Sequence, residues 1–327
     1  MAPSDDSIFG IREVYRPADS NPDVDIVAVH GLTGEALKTW TSKKNDVCWL
    51  HHPDFLPRYI TNARVLVWGY NASISSFKGR MPSSDRIHHH AQTLVAQLCA
   101  DRRLERRQDK PIIFLCHSLG GIIVKRALAY SSSRQSARLE NLHSIFTCTY
   151  GILFFGTPHR GTSKAQQLAM LQKIASAAVP KLVGQFDSNL VKALESESET
   201  LQNITDHFIP LMKHFSIFFF WEQRKTELGY KKDYVVEKES AAPDFDDTER
   251  SGLDADHAGM CQFEDHTSQN FRLVIAALDK YCEEAPEIIG KRWQNSTQAL
   301  GEQRRREAMD KLRQIQDLQV YDEWRSD

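Results

Sequence analysis

The stretch Pro111-Ile-Ile-Phe-Leu-Cys-His-Ser-Leu-Gly-Gly-Ile-Ile-Val-Lys125 decides how this chain is read. Ile112–Leu115 is short, apolar and mostly β-branched or aromatic, which favours a buried strand over a helix. It runs into His117-Ser118-Leu119-Gly120-Gly121, and helical spacing follows over Gly121–Tyr130. A strand that reverses into a helix at a serine is the setting of a nucleophile elbow. The strained turn lifts the Ser118 hydroxyl clear of the sheet's carboxyl edge. Gly120 and Gly121 supply the small residues that let strand and helix pass closely. Cys116 stands where the first glycine of a GxSxG pattern is expected, and its Cβ implies some crowding of the turn. The alternative is a serine in an ordinary βα turn. His117 is expected to support the elbow with its side chain pointing away from the serine.

Working outward, Ile26-Val-Ala-Val-His-Gly-Leu-Thr-Gly34 is a second apolar strand, ending in His30-Gly31-Leu32. In α/β-hydrolases this position supplies one backbone N–H of the oxyanion hole, and the residue after the nucleophile supplies the other. Leu119 is therefore one expected donor, and Leu32 or Gly31 the second. Losing one such donor typically costs about 2.7–4 kcal/mol of transition-state stabilisation. His30 lies on the strand that feeds this loop and is expected to support it.

A serine hydroxyl needs a base. In this fold the order along the chain is serine, acid, histidine, with the histidine after the last strand. Tyr234–Val236 is the expected last strand, and His257 in Leu253-Asp-Ala-Asp-His-Ala-Gly259 is the expected base. His159, in a rigid turn after a strand, is expected to pack near the site. The acid should close the preceding strand, which places Glu222 at the end of Phe218-Phe-Phe-Trp-Glu222. Asp254 stays open as the alternative. Asp256 adjoins His257, and neighbouring side chains usually diverge.

The remaining pattern fits a mostly parallel sheet. Val65–Trp68, Ile152–Phe155 and Ile217–Trp221 read as further buried strands, with Ile8 to Tyr15 as an edge strand before them. Helical spacing marks Ile87–Leu98 and Phe271–Tyr281. Strands alternating with helices predict an α/β fold with helices on both faces of the central sheet. The stretch 160–213 is too long for one crossover and reads either as a helical cap over the site or as an extra packing layer. Lys238 to Asp256 is polar and acidic and reads as a surface loop. From 287 the chain turns to Gln, Glu and Arg, with Met309, Leu312, Ile315 and Leu318 at helical spacing. The expected division is a hydrolase domain over 1–286 and a charged helical extension over 287–327. That extension would dock on the domain or meet a protein partner.

Composition narrows the classes. At 41% hydrophobic residues the chain can bury a sizeable core, and a formal charge of −2 points away from nucleic acid. None of the six cysteines forms a CxxC pair, so neither a zinc ribbon nor a thioredoxin-like motif is expected. Consecutive histidines at 88–90 point in different directions on a helix, so they do not make one metal site. No Walker A or GxGxxG motif is present, and the expected chemistry needs no cofactor and no metal. The polar start, Met1 to Asp6, has no apolar core of a signal peptide, and no apolar run is long enough to span a bilayer. The expected location is cytoplasmic, with at most peripheral membrane contact.

DIVAVHGL, Thr39-Trp40, IIFLCHSLGGIIVKRAL, ILFFGTPHRGT and DADHAGMCQF occur in that order. Together they resemble the serine esterases related to the serine-active-site-containing protein family. That group includes lipase-like domains at the N-termini of fungal NACHT and NB-ARC (NLR-type) immune receptors. The resemblance runs from Ile8 to Tyr281. It implies an α/β-hydrolase fold, Ser118 and His257 as triad members, Glu222 as the acid by position, and an acyl ester or lipid-like substrate; the stretch 160–213 would be that fold's helical lid insertion. It also brings in a peripheral place at the mitochondrion or endoplasmic reticulum. The rival reading is a catalytically silent hydrolase-fold module in NLR-type signalling.

Overall fold

Nine strands form among the described residues: β1 (Gly10–Tyr15), β2 (Val24–Val29), β3 (Ala63–Gly69), β4 (Ile112–His117), β5 (Thr149–Phe155), β6 (Ser216–Glu222), β7 (Thr226–Glu227), β8 (Lys232–Asp233) and β9 (Thr248–Leu253). Seven of them make one sheet in the order β1-β3-β2-β4-β5-β6-β9, and β7 and β8 pair as a separate hairpin. β1 is antiparallel to β3, and every other neighbour in the large sheet is parallel. The computed structural model describes residues 8–18, 21–32, 34–72, 83–159, 164–178, 203–229 and 231–324.

All residues of β2, β3 and β5 are buried. A parallel strand buried on both sides needs cover on both faces, which is why these strands read as unbroken apolar runs. Helices α1 (Leu56–Tyr59), α2 (Ser83–Leu104), α3 (Leu119–Ser132), α4 (Glu140–Cys148) and α5 (Lys164–Ala178) lie between the strands. α2, α3 and α4 pack on one another, and a C-terminal helix, Gln269–Trp324, runs against β5 and β2. This is the α/β-hydrolase architecture expected from the elbow outward. Among the described residues, no helix is long and apolar enough to cross a membrane.

Two expectations about the end of the sheet are corrected. Tyr234–Val236 is not a strand of the sheet; it is a turn after β8, apolar because Val235 and Val236 are buried. The last strand is β9, inside the stretch read as a surface loop. Its sequence, Thr-Glu-Arg-Ser-Gly-Leu, is polar because it is an edge strand, paired only with β6 and partly exposed. Of the cap expected over 160–213, residues 160–163 and 179–202 lie outside the described residues. The described part is α5, which buries Leu171, Ile174 and Ala175, and a helical stretch from 203 to 214. The C-terminal helix continues through Pro286, so the expected 286/287 boundary falls inside one helix. Its first half is anchored by Phe271, Leu278, Tyr281 and Ile289, and Arg292 donates to the Thr149 and His214 carbonyls. Met309 and Leu312 beyond it are exposed.

Lys125 sits on α3, fully buried. Its Nζ lies 3.5 Å from the Pro158 carbonyl, just before the inserted segment, and 3.3 Å from Thr205 Oγ1, within it. The rings of Phe154 and Phe208 lie 5.9 and 6.0 Å from the same atom. Among the described residues, no carboxylate pairs with it. Burial pushes the ammonium down to about 7, against an opposing pull from Cys116. Below pH 7 folded and unfolded chains both carry this proton, and the burial penalty is fully present. Between 7 and the ordinary 10.5 the unfolded chain still holds a proton that the folded chain has released, so stability rises with pH. The expected result is that Lys125→Met flattens this rise, by several kcal/mol in all at about 1.4 kcal/mol per pH unit. Urea unfolding at a series of pH values from about 6 to 9 measures it, and parallel slopes for the two proteins would contradict it.

Candidate active site

The elbow forms where the sequence places it. β4 ends at His117, α3 begins at Leu119, and Ser118 between them has φ 51° and ψ −125°. A non-glycine residue there is strained, and such strain persists only where the surroundings hold it. They do: the Ser118 N–H donates to Phe155 O at 2.8 Å, and its carbonyl accepts from Gly121 N at 3.1 Å and Thr157 Oγ1 at 3.0 Å. The two glycines are explained by contact. A Cβ on Gly120 would stand 2.4 Å from His30 O, and one on Gly121 would stand 2.3 Å from Thr157 Oγ1. Cys116 is fully buried within β4, and the turn forms with it in place.

His257 follows β9 and brings Nε2 to 3.0 Å from Ser118 Oγ. Glu222 closes β6, and its Oε1 lies 3.4 Å from His257 Nδ1, short of hydrogen-bond geometry. Catalytic hydrogen bonds are often long before substrate binds. Oε1 also accepts the N–H groups of Val235 and Val236, at 2.9 and 2.8 Å, and Oε2 accepts from Thr226 Oγ1 at 3.3 Å. Ser118, Glu222 and His257 are all buried. The carboxylate beside Nδ1 favours the tautomer with its proton there, which leaves Nε2 to accept from the serine hydroxyl. Asp254 is not at the site. It is exposed and gripped by Arg224 through two 2.6 Å hydrogen bonds.

The supporting histidines behave differently from one another. His30 is pushed down to about 4 by burial and is therefore neutral. Its Nδ1 bonds the Gly31 carbonyl at 2.9 Å, its ring stacks on Tyr70, and the Tyr70 hydroxyl donates to the His30 carbonyl at 3.0 Å. The loop carrying Gly31 and Leu32 is thus pinned at its root. His117 does not point away. Its Nε2–H donates to the His257 carbonyl at 2.9 Å. Burial, then the neighbouring His257, pushes it down to about 3, so it stays neutral. Alternation of side chains along a strand fails here because the Ser118 turn interrupts it. His159 is buried edge-on to Phe154 and Phe219, as a packing residue.

Leu119 opens α3, where an N–H has no acceptor within its own helix. Leu32 lines the same cavity as Ser118; Thr33 lies outside the described residues. The cavity holds about 270 Å³. Leu32, Ile174 and Ala177 give it an apolar wall, and Glu35, Lys38 and Lys43 a charged rim. Thr226 lines it too, and the sequence reading missed this residue. Its one local signal is that it follows the acid by four positions.

Fold and site together describe a hydrolase of the serine-esterase type. Residues 20–236 match the family described as "Putative serine esterase (DUF676)", and the chain belongs to that family. Among curated relatives, Protein SERAC1 of Bos taurus is 27% identical over 277 residues, covering 79% of this chain and 38% of the relative. Protein SERAC1 of Danio rerio is 30% identical over 259 residues, covering 73% of this chain and 36% of the relative. The chain therefore spans well under half the length of these relatives. Among solved structures, the mature lipase BlEst2 of Bacillus licheniformis shares the fold, with a TM-score of 0.51 at 17% identity, over 82% of this chain and 97% of that one.

Proposed function

We propose that this chain hydrolyses carboxylic esters through Ser118, His257 and Glu222. The observation that carries the reading is the 3.0 Å approach of His257 Nε2 to the hydroxyl of a serine held on a strained elbow. His257 takes the hydroxyl proton as Oγ attacks the acyl carbon. The Leu119 N–H, with that of Leu32 or Gly31, holds the oxyanion. His257 returns the proton to the leaving alcohol, and water, activated by the same imidazole, releases the acid from the acyl-serine. Glu222 stabilises the imidazolium in both halves. The apolar wall of Leu32, Ile174 and Ala177 favours an acyl chain of lipid-like character over a charged one.

Labelling with a fluorophosphonate probe tests this directly. Wild type is expected to label, and Ser118→Ala to lose the label completely while keeping its fold. Esters are then screened with the same pair of proteins. Folded wild type that neither labels nor turns over any acyl ester between about pH 6 and 9 would overturn the reading.

A further inference from the structure

The geometry points to Thr226 as a positioning residue that sets the acid and the base relative to each other. The inference rests on the serine-hydrolase reading above. Thr226 opens β7, and the β7–β8 hairpin is the chain that follows the acid. Its hydroxyl has one proton and two lone pairs. The His257 N–H donates to Oγ1 at 3.1 Å, and Oγ1 donates its proton to Glu222 Oε2 at 3.3 Å. Among the described residues, Thr226 is the only side chain hydrogen-bonded to both partners. The hairpin then delivers a second hold, because the turn after β8 supplies the Val235 and Val236 N–H groups to Oε1. The carboxylate is cradled on each oxygen by partners that follow it by 4, 13 and 14 positions.

The direct contact between acid and base is the weak link. At 3.4 Å, Nδ1 and Oε1 are ion-pair neighbours without a hydrogen bond between them. Their spacing is set by what each is tied to. Oε1 is tied to the turn, and the His257 backbone is tied to Thr226 on one side and to His117 on the other. Removing the Thr226 hydroxyl frees Oε2 and releases the His257 N–H at once. Nδ1 and the carboxylate then drift apart, the imidazolium loses stabilisation, and the base becomes weaker. A displacement of about 1 Å at a reacting centre can cost about 10²-fold.

The experiment compares Thr226→Val, Thr226→Ser and wild type with a p-nitrophenyl ester of short acyl chain. Fluorophosphonate labelling and circular dichroism are run on each. Thr226→Val is expected to lose at least tenfold in kcat with KM within about twofold, and its acid limb of kcat/KM moves to lower pH. Thr226→Ser, which keeps the hydroxyl, is expected to restore kcat to within about threefold. A folded valine variant with wild-type kcat and pH profile would overturn the proposal. So would a change confined to KM, which is what a mere pocket wall would give, or a serine variant as slow as the valine one. Should the valine variant fail to fold, Thr226→Ala replaces it under the same criteria, with serine again the rescue. Folded wild type that neither labels nor turns over an acyl ester would instead bring down the hydrolase reading itself.

Discussion

Glu222→Ala is expected to lower kcat for an ester substrate by about 10⁴, with KM little changed. Triad acids in serine hydrolases contribute on this scale because they fix the imidazole and stabilise its charged form. Here the carboxylate is buried and faces Nδ1 at 3.4 Å, and among the described residues no other carboxylate pairs with His257. Glu222→Gln is expected to lose less. Oε1 accepts two backbone N–H groups, so a carboxamide must turn its oxygen to them, and an amide nitrogen there would face two donors. That orientation keeps an acceptor toward Nδ1 and preserves the tautomer while removing the charge. Asp254→Asn is expected to leave kcat within about twofold, since Asp254 is bound to Arg224 at the surface. Steady-state kinetics on the three variants ranks them. An Asp254 effect as large as that of Glu222 would reassign the acid. Glu222→Ala also leaves the buried N–H groups of Val235 and Val236 without an acceptor, at about 1–3 kcal/mol each, so its folding is checked first.

What the sequence could reveal of this site follows the range of the interactions involved. The elbow, the His30–Leu32 loop and His257 are each marked by a short pattern: an apolar strand, a turn residue, a small neighbour. Those features are local, and the structure forms them where the pattern stands. The edge of the sheet was not legible. β9 is partly exposed, so it carries no apolar run, whereas Val235 and Val236 are buried in a turn and imitate a strand. Burial, and not strand formation, is what an apolar triplet reports. Thr226 was invisible for a different reason. Its role depends on a hairpin that folds the chain back onto Glu222, and no spacing rule encodes that. His117 shows how a sound local rule fails when one residue, Ser118, leaves regular strand geometry.

Asp25→Ala is expected to cost about 3–5 kcal/mol of stability, the range for breaking a buried ion pair from one side. Asp25 is fully buried near the start of β2, next in register to Arg64 on β3. Three guanidiniums converge on it. Arg64 Nε and Arg107 Nε reach Oδ1 at 2.7 and 2.8 Å, and Arg102 Nη1 reaches Oδ2 at 2.5 Å. All three arginines are buried. Asp101 and Glu13 share Arg64, but no other carboxylate reaches Arg102 or Arg107 among the described residues. The alanine variant therefore strands two guanidiniums with carbonyl and amide partners alone. Burial by itself would raise the Asp25 carboxyl; Arg102 foremost, with Arg64 and Arg107, outweighs it and holds the group below its ordinary 3.8. A depressed folded value means the contribution is fully present above 3.8 and is lost as pH falls through the folded value. The gap between wild type and Asp25→Ala in urea unfolding should thus stay constant from about pH 8 to 4 and close only below that. The cluster lies at the amino ends of the strands, about a strand length of roughly 20 Å from Ser118 at the carboxyl end. Folded Asp25→Ala should therefore keep wild-type kcat. A variant that lost kcat as steeply as stability would mean that this end of the sheet also sets the geometry of the elbow.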